Sequence, residues 1–234
     1  MRINKYLSDA GVCSRREADR RIAEGRVKIN GRTAQMGDRV EENDAVSVDD
    51  VPVSNAGKQA VYLMLNKPKG IVCSTVSTHG ETNVVDFVNY PERIYPVGRL
   101  DKDSEGLLIL TNDGERMNEM LRARNFHEKE YVVTLDRPYD PAFLRKMSEG
   151  VPILDTVTRK CRCTAVDEKT FRIVLTQGLN RQIRRMCDTL GYRVVKLCRV
   201  RFLTLSLGDL PLGEYRNLTP EEIEELNGKL RSEE

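Results

Sequence analysis

In the first 50 residues, apolar residues recur first at helical spacing and then alternate with polar residues, as in a strand. Residues 14–17 (Ser-Arg-Arg-Glu) form a capping-box pattern, in which the serine hydroxyl and the glutamate carboxylate satisfy the free N–H groups of a helix start. The helix that begins there places Ala18 and Ile22 on one face and basic residues on the rest. It ends at Gly25, because glycine tolerates the left-handed geometry that closes many helices. The stretch therefore predicts a basic amphipathic helix.

A hairpin and a linker are predicted after this helix. Residues 27–29 alternate between apolar and polar, and the Asn-Gly pair at 30–31 is a two-residue hairpin signal. The expected order is therefore helix, helix, hairpin. The polar stretch 53–59 shows neither helical spacing nor strand-like alternation of apolar residues and is typical of a linker. We place the boundaries as follows: N-terminal domain 1–50, linker 51–59 and larger domain 60–230.

Beyond the linker, β-like runs alternate irregularly with helical segments. The predicted strands are 61–65, 107–111, 131–135, 171–176 and 202–207. The predicted helices lie near 115–123, 141–149, 180–190 and 220–230. Because the order is not strictly strand-helix-strand and no G-x-G-x-x-G occurs, the pattern favours an α+β fold with a mixed or antiparallel sheet.

Composition narrows the class of protein. The chain has 234 residues, of which 39% are hydrophobic and 32% are charged, which is enough for one or two domains with a real core. The apolar runs at 61–65 and 107–110 fall far short of the roughly 20 residues that a membrane-spanning helix needs. The first residues carry no apolar signal segment. We expect a cytoplasmic protein with no membrane partner, and a monomer, because no heptad seam is visible.

Cysteine and histidine usage points away from metal and thiol chemistry. Six cysteines are present without a C-x-x-C pair, and we expect them to be reduced and mostly structural. Only two histidines occur, so a histidine-dependent nucleophile or a His-rich metal site would have little to build on. We therefore expect no metal site, and chemistry that relies on carboxylates.

The net charge of +2 hides two basic blocks. Residues 1–32 hold nine Arg or Lys against four acidic residues, and residues 178–201 hold seven against a single Asp. The last sixteen residues are acidic by comparison. The two basic blocks are candidate anion-binding surfaces, which is typical of proteins that bind nucleic acid.

The N-terminal unit resembles an S4-type (αL-type) RNA-binding domain in residues 6–7, 14–18 and 25–31. The resemblance covers about the first 50 residues and implies that cations on the helix and hairpin neutralise RNA phosphates. The residues to which it assigns this role are Lys5, Arg15, Arg16, Arg20, Arg21, Lys28 and Arg32. The alternative is a basic helix that is merely solvated.

Four motifs in the larger domain resemble, in order, those of pseudouridine synthases of the RsuA and Rlu type. They are 67–70 (Lys-Pro-Lys-Gly), 98–101 (Gly-Arg-Leu-Asp), 129–131 (Lys-Glu-Tyr) and 178–184 (Gly-Leu-Asn-Arg-Gln-Ile-Arg). Taken singly, each could be an ordinary turn, strand or helix, and their joint order carries the resemblance. Further details look most like the F type of the large-subunit enzymes: 71–74, 103–106, 127–131 and 151–154.

The resemblance implies roles for individual residues. Asp101 matches the catalytic aspartate, Tyr131 the tyrosine that stacks on the flipped base, and Arg184 the arginine that pairs with the aspartate. The base pocket would contain Leu100, Ile183 and Leu197. Further RNA contacts are implied for Lys67, Arg99, Arg181, Arg185 and Arg199. No cofactor is implied.

The implied reaction converts uridine to pseudouridine in 23S rRNA, with an anticodon uridine of tRNA as a second substrate. One alternative is a non-catalytic S4-containing RNA-binding protein, against which the intact set of Asp101, Tyr131 and Arg184 argues. Another is a glycoside hydrolase that uses Asp101 with Asp103 or Glu105. The chain has no Trp for sugar stacking, and its basic blocks suit phosphate better.

Overall fold

The computed structural model describes residues 1–54, 59–75, 80–122 and 127–231. The chain forms two compact units. The first consists of Met1–Val61, Pro91–Arg93 and Asn112–Gly114. The second consists of Tyr62–Tyr90, Ile94–Thr111 and Glu115–Glu234. Within the described residues, no helix has the length and apolar character needed to cross a membrane.

The first unit has the helix, helix, hairpin order that the sequence predicts. Its elements are α1 (Ile3–Asp9), α2 (Arg15–Ala23), β1 (Val27–Ile29), β2 (Arg32–Thr33), β3 (Val46–Val48) and β4 (Val51–Val53). The Ser14 hydroxyl accepts a hydrogen bond from the Glu17 amide at 3.1 Å, which caps α2 as predicted. Ala18 and Ile22 are buried in the core of this unit. The strands form one sheet in the order β2-β1-β3-β4.

The predicted linker 51–59 begins differently from expectation, because Val51–Val53 is a strand that pairs with β3. Asp49 and Asp50 both have positive φ, at 51° and 64°, and this backbone suits a tight two-residue hairpin. The turn therefore extends the sheet of the first unit past residue 50. Residues 55–58 of the predicted linker lie outside the described residues.

A nine-stranded mixed sheet forms the centre of the second unit. Its strands are β5 (Tyr62–Lys67), β6 (Tyr95–Pro96), β7 (Glu105–Thr111), β8 (Lys129–Leu135), β11 (Arg162–Ala165), β12 (Thr170–Leu175), β13 (Val194–Phe202), β14 (Leu205–Ser206) and β15 (Tyr215–Asn217). The main order is β11-β12-β8-β13-β7-β5-β15, in which the pairing of β13 with β7 is parallel. The mixed sheet and α+β class are as predicted.

Helices and a separate hairpin complete the fold. The helices are α3 (Val84–Val88), α4 (Gly114–Leu121), α5 (Phe143–Glu149), α6 (Gln182–Thr189) and α7 (Pro220–Arg231). The hairpin pairs β9 (Pro152–Ile153) with β10 (Thr156–Val157). Four of these helices match predicted segments, whereas the short α3 was not predicted.

One predicted strand is wrong in detail, and it adjoins a strand that the pattern did not predict. Residues 202–207 do not form one strand: β13 ends at Phe202, the chain turns through Leu203 at a φ of 54°, and β14 runs back antiparallel. The basic side chains along β13 mask its apolar positions, which is why the sequence pattern missed it. The strand forms because it pairs with both β8 and β7 at the centre of the sheet.

Candidate active site

A cavity of about 670 Å³ lies in the second unit and is lined by two of the three residues predicted as catalytic, whereas the third, Arg184, is not among its lining residues. Asp101 and Tyr131 both line it, as do the three apolar residues predicted for the base pocket, Leu100, Ile183 and Leu197. Those three side chains are buried, with 4–7% exposure. Its volume is typical of a pocket that encloses a small organic group.

Asp101 lies in the loop that connects β6 to β7. The Ser104 amide donates to the Asp101 backbone carbonyl at 3.0 Å, which closes a tight turn directly before β7. The Asp101 side chain is 33% exposed, so its carboxylate is accessible while its backbone is fixed. The loop thus presents a carboxylate on a rigid support, which is a requirement for a catalytic group.

Lys67 supports this loop from beneath. Its ammonium group donates to the backbone carbonyls of Pro68 at 2.9 Å, Ser104 at 2.9 Å and Asp101 at 3.3 Å. The side chain is fully buried at the end of β5, and this burial lowers its pKa. The prediction that Lys67 contacts RNA is therefore wrong, because no part of the residue reaches the surface.

The arginines near Asp101 are arranged differently from expectation. The guanidinium of Arg181 lies 4.0 Å from the Asp101 carboxylate, whereas Arg184 approaches Asp103, with its Nε 3.6 Å from a carboxylate oxygen. Arg184 also donates to the backbone carbonyl of Val194 at 3.3 Å. The expected pairing of Arg184 with Asp101 is corrected: Arg181, at the start of α6, is the arginine beside that carboxylate.

Tyr131 and Arg199 lie opposite each other on the neighbouring strands β8 and β13. Arg199 is only 3% exposed, and its Nε donates to the Leu107 carbonyl at 2.7 Å. Its guanidinium also lies over the Phe202 ring, 5.6 Å from the centroid. Such burial does not suit a surface phosphate contact, so Arg199 belongs to the wall of the cavity.

Several lining residues were missed by the sequence analysis. His127 is buried, with Nδ1 2.7 Å from the Met120 carbonyl oxygen, and Lys129 lines the same cavity. Burial, and then the nearby charge of Arg199, lower the pKa of Lys129. Alternation along β8 could have identified Lys129, because residues two apart on a strand share a face with Tyr131. Arg122 and Arg159 also line the cavity, but no local pattern marks them.

The remaining predicted RNA contacts of the second unit are Arg99 and Arg185. Arg99 is exposed and lines the cavity. Arg185 is half-buried and donates to the backbone carbonyl and the side-chain oxygen of Asn180, at 3.1 and 3.2 Å. Arg99 therefore presents an exposed cation at the cavity, whereas Arg185 stabilises the loop before α6.

Many of the basic residues predicted to contact phosphate in the first unit form ion pairs with acidic residues. Arg20 and Arg21 share Glu17 at 2.8 and 3.0 Å. Arg15 and Arg16 are exposed at the start of α2, and Arg15 donates to the side-chain oxygen of Asn4 at 3.5 Å. The other ion pairs are Lys5 with Asp9 at 3.3 Å, Lys28 with Asp50 at 2.6 Å and Arg32 with Asp38 at 2.9 Å. Exposed ion pairs contribute little free energy, so an incoming phosphate can replace a carboxylate partner.

Metal-binding clusters are not found in the described ranges, where no group of three or more His, Cys, Asp or Glu side chains is arranged to hold an ion. The six cysteines are free thiols. Those of Cys161 and Cys163 lie 3.8 Å apart beside the core of the second unit.

Comparison with known proteins gives two matching families. The RNA pseudouridylate synthase family matches residues 61–189, and the S4 domain matches residues 1–57. The first covers the loop of Asp101, the strand of Tyr131 and helix α6. The second covers the unit with the exposed arginines of α2.

Individual relatives match along nearly the whole chain. The dual-specificity RNA pseudouridine synthase RluF of Escherichia coli (strain K12) is 52% identical over 227 residues, which are 97% of this chain and 78% of the relative. The ribosomal large subunit pseudouridine synthase B of Bacillus subtilis (strain 168) is 36% identical over 96% of this chain and 95% of its own. A crystal structure of a pseudouridylate synthase superimposes with a TM-score of 0.70 at 30% identity, covering 97% of this chain and 99% of that one.

Motifs, fold and relatives agree on one assignment, in which the S4 domain precedes a synthase domain with a preformed cavity. This chain belongs to the RNA pseudouridylate synthase family: it is an RNA pseudouridine synthase of the RsuA and Rlu type, similar to RluF.

Proposed function

We propose that this enzyme converts a uridine of 23S rRNA to pseudouridine, and that an anticodon uridine of tRNA is a second substrate. The observation that carries the proposal is the shared cavity of Asp101 and Tyr131, a carboxylate and an aromatic ring within one preformed pocket. The relatives support the choice of RNA, since one is named as dual-specificity and another as a large-subunit enzyme. The enzyme acts as a monomer in the cytoplasm.

Asp101 is the catalytic aspartate of this proposal. Its carboxylate either attacks C1′ of the ribose or removes the 2′ proton, and the C1′–N1 bond breaks. The detached uracil rotates and C5 forms the new bond to C1′; in the first route the ester between Asp101 and C1′ breaks at this step, and in the second route the proton returns to C2′. The C5 proton is then lost, and N1, which no longer carries the ribose, gains a proton. The reaction is an isomerisation with no net oxidation or reduction, so it needs no redox cofactor.

The target base must leave its stack before Asp101 can reach the ribose. Extrusion costs a few kcal/mol, and stacking of the base on Tyr131 returns about 1 to 3 kcal/mol. Leu100, Ile183 and Leu197 enclose the remaining edges of the base. Tyr131 also assists removal of the C5 proton. Phosphate contacts from Arg99, Arg15 and Arg16 offset the rest of the free energy needed to extrude the base.

Mapping of pseudouridine on defined transcripts tests this proposal. The purified protein is incubated with protein-free 23S rRNA, 16S rRNA and tRNA transcripts, and pseudouridine is located by carbodiimide-dependent stops of reverse transcription. We expect a stop in 23S rRNA, and one in the tRNA anticodon, that the Asp101→Asn variant does not produce. A stop found only in 16S rRNA would overturn the proposal that 23S rRNA is the substrate. Modification by the Asp101→Asn variant would overturn the catalytic role. Binding without any stop would favour a non-catalytic S4-containing RNA-binding protein.

A further inference from the structure

Lys129 places a cation in an apolar part of the cavity wall. In the register of the sheet, it lies opposite Leu175 of β12 and Phe202 of β13, which are both buried and both line the cavity. Its ammonium nitrogen is 5.8 Å from the centroid of the Phe202 ring. The ammonium donates to the His127 backbone carbonyl at 3.3 Å, which is a long hydrogen bond. An ammonium group has three donors, and in the described part of the chain this is the one hydrogen bond that it makes.

The acidic residues next to Lys129 in the chain do not neutralise it. Glu128 and Glu130 project from the opposite face, because side chains alternate along a strand, and both accept hydrogen bonds from Arg201, at 2.8 and 3.0 Å. Burial, and then the charge of Arg199, lower the pKa of Lys129, and no acidic side chain of the described ranges offsets them. A buried charge without a partner costs free energy, which favours a role in which the negative charge comes from a ligand.

The proposed reaction brings negative charge into this cavity. When the C1′–N1 bond breaks, by either route, the uracil leaves with the electron pair of that bond. The charge spreads from N1 onto the two carbonyl oxygens of the ring. Tyr131 and Lys129 share one face of β8 and are about 7 Å apart along the strand, so a base stacked on Tyr131 has one edge beside Lys129.

We propose that Lys129 is a catalytic cation, whose ammonium group binds a carbonyl oxygen of the uracil and stabilises the negative charge that develops as the C1′–N1 bond breaks. The inference rests on the proposed function, in which Asp101 initiates this cleavage. Lys129 keeps its proton throughout, so the balance of atoms and electrons in the isomerisation is unchanged. A cation fixed in an apolar wall acts more strongly on a developing anion than the same cation in water.

The second cation of this wall is held by the protein itself. Arg199 lies over the same Phe202 ring, 5.6 Å from its centroid, but its Nε donates to the Leu107 carbonyl at 2.7 Å. Arg199 is only 3% exposed, whereas Lys129 is half-buried. Lys129 is therefore the cation that can contact a base, and Arg199 adds to the positive potential behind it.

Steady-state kinetics on RNA tritiated at uridine C5 test this role, with tritium release as the readout. We expect Lys129→Met to lower kcat about a hundredfold, a usual cost of removing one group that stabilises a developing anion, and to change KM less than about threefold. Lys129→Arg keeps a cation and should retain kcat within about tenfold of wild type. Lys146→Met, at an exposed position on α5 of the same unit, is the matched control and should retain wild-type kcat.

A better leaving group distinguishes charge stabilisation from other roles of Lys129. The fluorine of 5-fluorouracil withdraws electrons and stabilises the departing anion by itself, so the cation should matter less. A 23S rRNA segment carries either uridine or 5-fluorouridine at the position that pseudouridine mapping identifies. Loss of that nucleoside in a single turnover is followed by nuclease digestion and chromatography. We expect Lys129→Met to slow the loss about a hundredfold with uridine but only about tenfold with 5-fluorouridine.

Thermal unfolding distinguishes this role from a structural one. Methionine suits the apolar surroundings of position 129, so we expect Lys129→Met to have a Tm equal to or above that of wild type, as is common when a functional group is removed from a site. A structural cation would instead lower the Tm when it is removed. Lys129→Gln, which is also uncharged, repeats the kinetic tests if Lys129→Met does not fold.

The outcomes separate this inference from the proposed function. Equal slowing with both nucleosides would overturn the inference, because the loss would not follow the charge on the leaving group. A raised Kd for RNA with unchanged kcat would also overturn it, in favour of a phosphate contact. If Asp101→Asn abolishes turnover while Lys129→Met behaves as wild type, only the role of Lys129 fails. Failure of the wild-type enzyme to convert both nucleosides would overturn the proposed function and this inference together.

Discussion

The ammonium nitrogen of Lys67 lies 3.3 Å from the backbone carbonyl oxygen of Asp101 and 2.9 Å from that of Ser104. One buried cation thereby connects the end of β5 to both ends of the turn that presents Asp101. Burying a charge is costly unless hydrogen bonds compensate it, and here three carbonyl groups do so. Lys67 is therefore a support for the candidate active site, although the family resemblance implies an RNA contact for it.

Replacing Lys67 by Met tests this role. The variant keeps the apolar stem but removes the ammonium donor from the carbonyl groups of Pro68 and Ser104, while that of Asp101 keeps the Ser104 amide as a donor. We therefore expect a loss of about 3 kcal/mol in the free energy of unfolding. We expect kcat to fall at least roughly tenfold, since displacement of a catalytic group by about 1 Å is costly, while the Kd for RNA stays within about threefold. Denaturant unfolding, tritium release and filter binding measure the three quantities.

Lys69→Met is the matched control, because Lys69 is an exposed lysine two residues further along the same motif. We expect it to leave stability and kcat close to wild type. A Lys67→Met variant that binds RNA weakly but turns over normally would instead indicate the phosphate contact.

Local patterns predicted the start of the first unit well. The capping serine, the buried face of α2 and the hairpin at 30–31 depend on residues close together in sequence, and the structure contains all three. The resemblance likewise identified residues that the fold brings into one cavity, including Asp101, Tyr131 and Ile183.

What the sequence could not predict depends on tertiary placement. Lys67 carries no local sign that its side chain is buried. The choice between Arg181 and Arg184 as the neighbour of Asp101 is made by the left-handed turn before α6, where Arg181 precedes the first helical turn. Strand β13 was missed because its stability comes from pairing with β8 and β7, and its own alternation is interrupted by cations.

Asp101→Asn should separate catalysis from binding. We expect no detectable turnover, because the amide is a poor nucleophile and a poor base, while the Kd for RNA changes no more than about threefold. The substitution nearly preserves shape at a side chain that is 33% exposed, so stability should be little affected. Filter binding and tritium release on the same RNA measure the two effects. A large loss of affinity would place Asp101 in RNA binding.

Gly106 permits the close parallel pairing of β7 with β13. It has a φ of 104°, and an added Cβ would overlap the backbone carbonyl of Arg199 and stand 2.6 Å from its amide nitrogen. We expect Gly106→Ala to lower the free energy of unfolding by about 4 kcal/mol, because backbone rather than a flexible side chain must move. Denaturant unfolding measures the loss.

Gly208→Ala is the control for Gly106→Ala. Gly208 also has positive φ, at 57°, but an added Cβ there meets no atom within 4 Å. This variant should lose only about 1 kcal/mol, the cost of the left-handed backbone alone. Equal losses in the two variants would show that the approach of β13 to Gly106 does not matter.

The exposed arginines of α2 should contribute to the salt dependence of RNA binding. Each phosphate contact that is lost lowers the slope of log Kd against log salt by about 0.7 to 0.9. We therefore expect Arg15→Gln combined with Arg16→Gln to reduce this slope by about 1.5 and to leave kcat at saturating RNA unchanged. Substitution is the sharper test here, since cutting the chain at residue 50 would separate β4 from β3.

Arg145→Gln combined with Lys146→Gln gives a control with the same net charge. Both residues are exposed on α5 in the second unit, away from the residues that line the cavity. We expect the control to change the salt slope by less than about 0.5, because remote charges act only through a screened field. An unchanged slope in the Arg15 and Arg16 variant would mean that α2 is a solvated helix without a role in RNA binding.

The pair of Asp103 with Arg181 should stabilise the fold in a defined pH window. Hydrogen bonds from Arg181 lower the pKa of Asp103 to about 2 in the folded state, against about 3.9 for an unfolded chain. A group whose folded pKa is lowered contributes stability above its unfolded pKa and loses it as the pH falls through its folded pKa. Because the Asp103 side chain is 49% exposed, solvent screening limits the contribution to about 1 kcal/mol. Denaturant unfolding should therefore show wild type about 1 kcal/mol more stable than Asp103→Asn at pH 6, with the difference vanishing between about pH 4 and pH 2. A difference that persists at pH 2 would mean that the variant acts through packing and not through the charge of Asp103.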